Sequence, residues 1–345
     1  MSDYTSTATI AQIAQRIRRA KHIAVVTHAR PDGDAAGSVL AAVRAVRAVG
    51  LRAEGYFCGS VDPNIQALAR PGETIHGNPP AMDADIDLAL LVDTGSWNQV
   101  EPLDGWLKSM AGRVVALDHH GRGDPIASDR VVDTSAAAAT QLVAQLVEAL
   151  GIDLQKHGGR HSIAEALFTG LATDTGWFRF QSVTPAVLAL ASRLLAAGVD
   201  HVHLHQLLEE NGRPARLGIT ARALSSITLL REARIALMQL GAADFTATGA
   251  SSDDIGGIVN IPLTIGGIDM SCLLSEQSPG VTKCSFRSKP AGEGQPSIDV
   301  NAFAAQFGGG GHVQAAGARI AKPLAEARAL VESALLAMVL RAHAW

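Results

Sequence analysis

Histidine and aspartate residues gather in four short blocks along the chain, and the first block is the densest. Thr27 to Ser38 holds His28, Asp32 and Asp34, with a proline and a glycine that permit a tight turn. Such a turn lets the two carboxylates of an Asp-x-Asp pair reach adjacent cations. Imidazole and carboxylate ligands together suit manganese, iron, cobalt or zinc better than calcium. The block therefore predicts part of a metal site, and the alternative is an ordinary strand-to-helix turn capped by Asp34.

The other three blocks contain the same residue types. Asp93 follows an apolar run, Asp118, His119 and His120 are consecutive, and Asp174 follows an apolar helical segment. Three adjacent ionisable side chains are costly to desolvate unless a metal or a phosphate satisfies them. The four blocks together predict a two-metal site, with ions about 3.5 to 4 Å apart that share a carboxylate and a water of lowered pKa.

Strands and helices must bring these blocks together. Apolar runs predict buried strands at Ile23 to Thr27, Leu88 to Val92 and Val114 to Leu117, and Ala35 to Val49 predicts a helix. This alternation predicts a parallel α/β sheet, whose ligands collect at the carboxyl ends of the strands. The first three blocks begin at those ends. Gly37 lies early in the predicted helix, where we expect it to let a phosphate approach free backbone N–H groups.

Composition narrows the class of function. The 345 residues, 47% of them hydrophobic, suffice for two domains, and the net charge is −4. No apolar run approaches the roughly 20 residues that span a bilayer, and the N-terminus lacks the features of a secretion signal, so we predict a cytoplasmic protein without a membrane partner. The absence of a basic excess argues against long duplex nucleic acid and for a short substrate. Three cysteines without C-x-x-C spacing indicate neither a disulfide framework nor a thiolate zinc site.

The clearest break in the chain is the segment 211–214, Asn-Gly-Arg-Pro. It predicts a metal-binding domain over residues 1–210 and a smaller α+β domain over 211–345. The second domain contains a glycine run that ends at His312. Consecutive glycines let backbone N–H groups approach a phosphate or a base, although a flexible loop is the alternative. Arg287 offers a planar fork for a phosphate that a lysine would not reproduce.

The order H-x-x-x-D-x-D, then D, then D-H-H, then D resembles the DHH phosphoesterase family. In the second domain, Gly309 to His312 resembles the G-G-G-H signature of the DHH-associated C-terminal domain, and Ser285 to Lys289 resembles its substrate-binding strand. The chain is similar in particular to the bacterial group of bifunctional oligoribonucleases and pAp phosphatases, the nanoRNases.

This resemblance implies individual roles for the residues that match the motifs. The implied metal ligands are His28, Asp32, Asp34, Asp93, His119 and Asp174. Asp93 would bridge the ions and act in catalysis together with Asp118, which orients the cluster, and His120, which contacts the substrate phosphate. The implied substrate-binding residues are Arg287, Gly309, Gly310, Gly311 and His312. The active site would lie in a cleft between a parallel-sheet domain with helices on both faces and the smaller α+β domain.

The same resemblance implies an enzyme with two divalent metal ions, and we expect these to be Mn²⁺. A hydroxide bridging the ions would hydrolyse short oligoribonucleotides from an end and convert pAp to AMP and phosphate. A phosphodiesterase for cyclic or linear dinucleotides is the nearest alternative. An inorganic pyrophosphatase is disfavoured by the G-G-G-H signature, and a catalytically dead nucleotide-binding regulator by the complete ligand set. We expect a monomer or a homodimer.

Overall fold

A computed structural model describes residues 4–59, 61–290 and 298–338 of the chain. It divides into two units, Met1–Asn211 and Gly212–Trp345. The strands of the first unit are β1 (His22–Val26), β2 (Arg52–Cys58), β3 (Thr74–Gly77), β4 (Leu88–Val92), β5 (Val114–Asp118) and β6 (Asp129–Val132). Its helices are α1 (Ile10–Arg19), α2 (Gly33–Ala48), α3 (Pro63–Gln66), α4 (Asp104–Ser109), α5 (Ala139–Ala149), α6 (Ile163–Asp174), α7 (Pro185–Ala196) and α8 (His201–Glu209).

The first unit is built on a parallel sheet with the strand order β3-β2-β1-β4-β5-β6. Successive β1 residues face opposite layers: Ile23 and Val25 pack with residues of α2 and α6, whereas Ala24 and Val26 pack with Leu107 of α4. The predicted parallel sheet with helices on both faces is therefore confirmed. The strand order reverses between β1 and β4, and open α/β sheets bind ligands beyond the carboxyl ends of the strands at such a switch point.

Helix α2 begins where the first His/Asp block ends. The Asp32 carboxylate caps the helix by accepting from the backbone N–H groups of Asp34 and Ala35 at 3.1 and 3.0 Å. The cap is thus Asp32, two residues before the Asp34 named in the alternative interpretation. The interpretation of Gly37 as a phosphate contact is wrong. A Cβ on Gly37 would lie 2.5 Å from the carbonyl oxygen of Ala166, so this glycine lets α2 pack against the backbone of α6.

The second unit has a mixed sheet, which agrees with the α+β prediction. Its strands are β7 (Thr228–Leu230), β8 (Ile235–Leu240), β9 (Met270–Ser275), β10 (Thr282–Ser288), β11 (Gly310–His312) and β12 (Ala315–Ile320), in the order β11-β12-β10-β9-β8-β7. Its helices are α9 (Pro214–Ser225), α10 (Ala242–Thr248), α11 (Val300–Ala305) and α12 (Leu324–Ala337). Only the β8–β9 pair is parallel among these described strands. The end of the glycine run is an exposed edge strand, β11, paired with β12.

Within the described ranges, no single helix is long and apolar enough to cross a membrane. Helices α7 and α8 meet such a length and composition test only as a pair, and the pair bends by 108° at its break. The cytoplasmic location stays a prediction.

Candidate metal centre and active site

The six predicted metal ligands come together at the carboxyl edge of the parallel sheet. His28, Asp93 and His119 follow β1, β4 and β5, whose ends meet at this edge because the strands are parallel. Asp32 and Asp34 lie at the start of α2, and Asp174 is the last residue of α6. The sheet, α2 and α6 thus each bring predicted ligands to one place.

The two carboxylate oxygens of Asp93 face two different groups of side chains. Oδ2 of Asp93 lies 3.6 Å from Nε2 of His28, and Oδ1 lies 3.3 Å from Nε2 of His119. Asp32 belongs to the first group, whose ligand atoms lie within 4.8 Å of one another. Asp34 and Asp174 lie equally close around His119. A carboxylate placed between two such groups can serve two cations at once, as two-metal sites require.

Asp93 is buried with one carboxylate oxygen that lacks a hydrogen-bond donor in the described part of the chain, and a cation would satisfy that oxygen. The residue is 3% exposed, and its Oδ1 has no hydrogen-bond partner among the described residues. Burial opposes ionisation, but the neighbouring imidazoles of His119 and His28 outweigh it and lower the pKa of Asp93. Its backbone φ of 58° is in the left-handed region, which costs energy for a residue other than glycine. A buried carboxylate oxygen without a donor fits a metal ligand.

Asp34 indicates an excess of negative charge in the same cluster. Its carboxylate is buried and accepts from the backbone N–H groups of Ala139 and Thr140, at 2.6 and 3.1 Å, in the first turn of α5. Burial and the charges of Asp93 and Asp174 nevertheless raise the pKa of Asp34 well above its usual range. Divalent cations would offset the negative charge of these carboxylates.

The orientation of His119 suits a metal ligand. Its Nδ1 lies 3.2 Å from the carbonyl oxygen of Ala136. Because a carbonyl only accepts, Nδ1 donates to it, and Nε2 is the ring nitrogen that faces Asp93 and could bind a cation. With imidazole nitrogens and carboxylate oxygens as donors and no thiolate in its groups, the site fits a divalent metal ion such as manganese, iron, cobalt or zinc.

Asp118 and His120 form a second layer beside these ligands. Asp118 is fully buried, and its Oδ1 accepts from Nδ1 of His120 at 2.7 Å and from the His120 backbone N–H at 3.2 Å. These two bonds fix the orientation of the His120 ring, the first of them by engaging Nδ1. The other oxygen of Asp118 accepts from the hydroxyl of Tyr4 at 2.8 Å. Nothing in the sequence predicts this contact, since Tyr4 belongs to no motif and lies 114 residues away.

In the second unit, Arg287 and His312 project from the same face of the mixed sheet. Both residues lie opposite Ala315, Arg287 across the β10–β12 pair and His312 across the β11–β12 pair. Directly paired residues of antiparallel strands share a face, and two strand spacings separate the backbones by roughly 9 to 10 Å. Arg287 is half-buried, and its Nη1 donates to the carbonyl of Phe286 at 2.9 Å.

The predicted glycines at Gly309 and Gly311 let β11 lie close to β12. A Cβ on Gly309 would lie 2.2 Å from the carbonyl oxygen of Gly317, and one on Gly311 would lie 2.4 Å from that of Ala315. Gly310 between them is exposed and has only a side-chain atom of Asn301 near its Cβ position. The run is therefore constrained by strand packing against β12, whereas the residues of β11 are exposed.

Comparison with known proteins gives matches to both units. The profile of the DHH family, N-terminal domain, matches residues 22–171, and that of the DHHA1 domain matches residues 236–337. The bifunctional oligoribonuclease and PAP phosphatase NrnA of Thermus thermophilus is 31% identical over 300 residues, which cover 86% of this chain and 84% of that protein. The protein of the same name from Bacillus subtilis is 25% identical, covering 85% and 87%. A crystal structure of an exopolyphosphatase-related protein from Bacteroides fragilis has a TM-score of 0.83 at 24% identity, covering 94% and 95%.

Proposed function

The chain belongs to the DHH family, and from this membership we propose that it is a metal-dependent phosphoesterase that hydrolyses short nucleotide substrates. Its reactions would be the removal of nucleotides from an end of short oligoribonucleotides and the conversion of pAp to AMP and phosphate. The relatives named NrnA carry an oligoribonuclease and a PAP phosphatase activity in their names. The observation that carries the proposal is the placement of Asp93 between two groups of metal ligands.

We infer that the six ligands hold two divalent ions, with Mn²⁺ as the expected metal and Asp93 contacting both. When bound, the ions would supply a water of lowered pKa and neutralise charge on the phosphoryl oxygens. The protein's own contribution is orientation. Asp118 holds the His120 ring so that Nε2 donates to a phosphoryl oxygen and stabilises the charge that develops there.

Arg287, His312 and the glycines at 309–311 would bind the remainder of the nucleotide. The guanidinium of Arg287 can form two parallel hydrogen bonds with a phosphate, which a lysine cannot do. His312 shares a sheet face with Arg287 and could contact a second group of the same ligand. The net charge of −4 opposes binding of a long polyanion, which favours short substrates.

A substrate panel tests the proposed activity. With Mn²⁺ present, the purified protein should release phosphate from pAp and mononucleotides from RNA dinucleotides, faster than it cleaves longer RNA or cyclic di-AMP. Preference for inorganic pyrophosphate would overturn the assignment to nucleotides. No hydrolysis of any member of the panel would overturn the assignment as an enzyme.

Asp93→Asn tests the role of the central carboxylate. We expect turnover to fall to background while the circular dichroism spectrum stays that of the wild type. Asp200→Asn makes the same chemical change at the N-cap of α8, where asparagine caps as well as aspartate, and should leave activity unchanged. Substantial turnover by the Asp93 variant would exclude it as the shared ligand.

A further inference from the structure

The segment before α1 brings Tyr4 into the active-site layer around Asp118. The Tyr4 hydroxyl donates to Oδ2 of Asp118 at 2.8 Å, and its ring lies against the backbone of Gly95 and Gly123. A Cβ on Gly95 would lie 1.8 Å from the tyrosine hydroxyl oxygen, and one on Gly123 would lie 2.5 Å from the ring. Tyr4 can occupy this place only because both positions lack a side chain.

The residues after Tyr4 are fixed along the edge strand β6. The backbone N–H groups of Thr7 and Ala8 donate to the carbonyl of Arg130, at 2.9 and 3.1 Å. The Ser6 hydroxyl donates to the carbonyl of Val132 and accepts from its N–H. The guanidinium of Arg130 donates to the carbonyl of residue 5 and lies 5.4 Å from the centre of the Tyr4 ring. These contacts position the tyrosine through several independent bonds.

Each oxygen of the buried Asp118 carboxylate has one side-chain donor: His120 on Oδ1 and Tyr4 on Oδ2. No other described side chain donates to Oδ2. Without the Tyr4 hydroxyl, one oxygen of a fully buried carboxylate would lose its donor, and the carboxylate could rotate away from His120. Burial and the charge of Asp118 raise the pKa of Tyr4 above its usual range, so the hydroxyl keeps its proton at neutral pH.

We propose that Tyr4 is a positioning residue for the reaction: by fixing Asp118, it holds the His120 imidazole in the orientation that meets the substrate phosphate. The proposal rests on the phosphate-binding role proposed for His120. It extends that role to a residue from a segment outside the four His/Asp blocks.

Tyr4→Phe is the direct test, because it keeps the ring against the two glycines and removes only the hydroxyl. Loss of a partner that orients an active-site group typically lowers activity about 10- to 100-fold, and we expect that reduction in kcat for pAp, with KM changed less. Tyr56→Phe removes the hydroxyl of a core tyrosine in β2 and is the matched control, with wild-type kcat expected. Gly123→Ala should reproduce the Tyr4→Phe effect, since the added Cβ displaces the ring.

A double-mutant cycle with His120→Ala separates positioning from a structural role. If Tyr4 acts through His120, adding Tyr4→Phe to His120→Ala should lower kcat no further. The proposal for Tyr4 would be overturned if the losses in kcat of the two single variants added up in the double variant. It would also be overturned if Tyr4→Phe had wild-type kcat while His120→Ala was slow. Wild-type kcat in His120→Ala alone would instead overturn the role proposed for His120. Thermal melting of each variant identifies any loss of activity that comes from unfolding.

Discussion

Gly37→Ala should destabilise the first unit, because α2 and α6 are in contact at this glycine. A Cβ there would lie 2.5 Å from the carbonyl oxygen of Ala166 and 2.8 Å from the backbone nitrogen of Gly170. Ordinary van der Waals contact of a Cβ begins near 3.4 Å. The two helices would therefore have to separate by the difference between 3.4 and 2.5 Å, roughly 0.9 Å. The Ala166 oxygen and the Gly170 nitrogen belong to the backbone of the buried helix α6, so neither can move aside as the end of a flexible side chain would.

The size of the effect follows from two opposed contributions. Overpacking of a filled core costs about 1 to 3 kcal/mol, and the rigid backbone neighbours favour the upper end of this range. Alanine recovers about 1 kcal/mol over glycine in a helix interior. The net loss is about 2 kcal/mol, which corresponds to a fall of about 4 to 8 °C in melting temperature for a unit of this size.

Thermal and urea denaturation of the metal-free protein measure this loss. Gly105→Ala is the matched control, since Gly105 is an exposed helical glycine in α4 with no atom within 4 Å of its Cβ position. The control should melt at or above the wild-type temperature. Equal melting temperatures for Gly37→Ala and wild type would refute the close backbone contact between α2 and α6. The variant should also bind Mn²⁺ more weakly, because the two helices carry Asp34 and Asp174.

Two further predictions concern charge. Chelation with EDTA should lower the melting temperature, because the cluster of Asp34, Asp93 and Asp174 then has only the neighbouring imidazoles, and no divalent ion, to offset its charge. Mn²⁺ at about 100 times its Kd adds about 2.7 kcal/mol, and a melting temperature unmoved by Mn²⁺ would contradict this. Arg44→Ala should cost about 3 to 5 kcal/mol at pH 7 in urea denaturation, because it leaves Glu73 buried without its partner at 2.8 Å. Burial opposes ionisation of Glu73, but the hydrogen bonds from Arg44 outweigh it and lower its pKa below the usual value of 4.5, so this deficit should shrink as the pH falls below that value.

The strands that carry the site could be predicted because they are buried on both faces. Such strands are continuous apolar runs, and β4 was predicted at the observed limits, Leu88–Val92. Edge strands lack this signal: β3 and β6 contain polar residues and are only partly buried, and neither was predicted. The place of Tyr4 could not be predicted either, because it depends on hydrogen bonds to the backbone of the edge strand β6 and on no sequence pattern of its own.

The position of Asp174 depends on two glycines that are not among the predicted ligands, Gly33 and Gly37. Parallel strands bring their carboxyl ends to one edge, but Asp174 ends a helix and reaches that edge only if α6 packs closely on α2. A Cβ on Gly33 would lie 2.4 Å from the hydroxyl oxygen of Thr173, the residue before Asp174. Gly37 contacts α6 at Ala166, two turns before Thr173 along that helix. The two glycines of the first block therefore fix where the carboxylate of the fourth block lies. The D-G-D-x-x-G spacing is in this way a requirement of helix packing as well as of the proposed metal ligation.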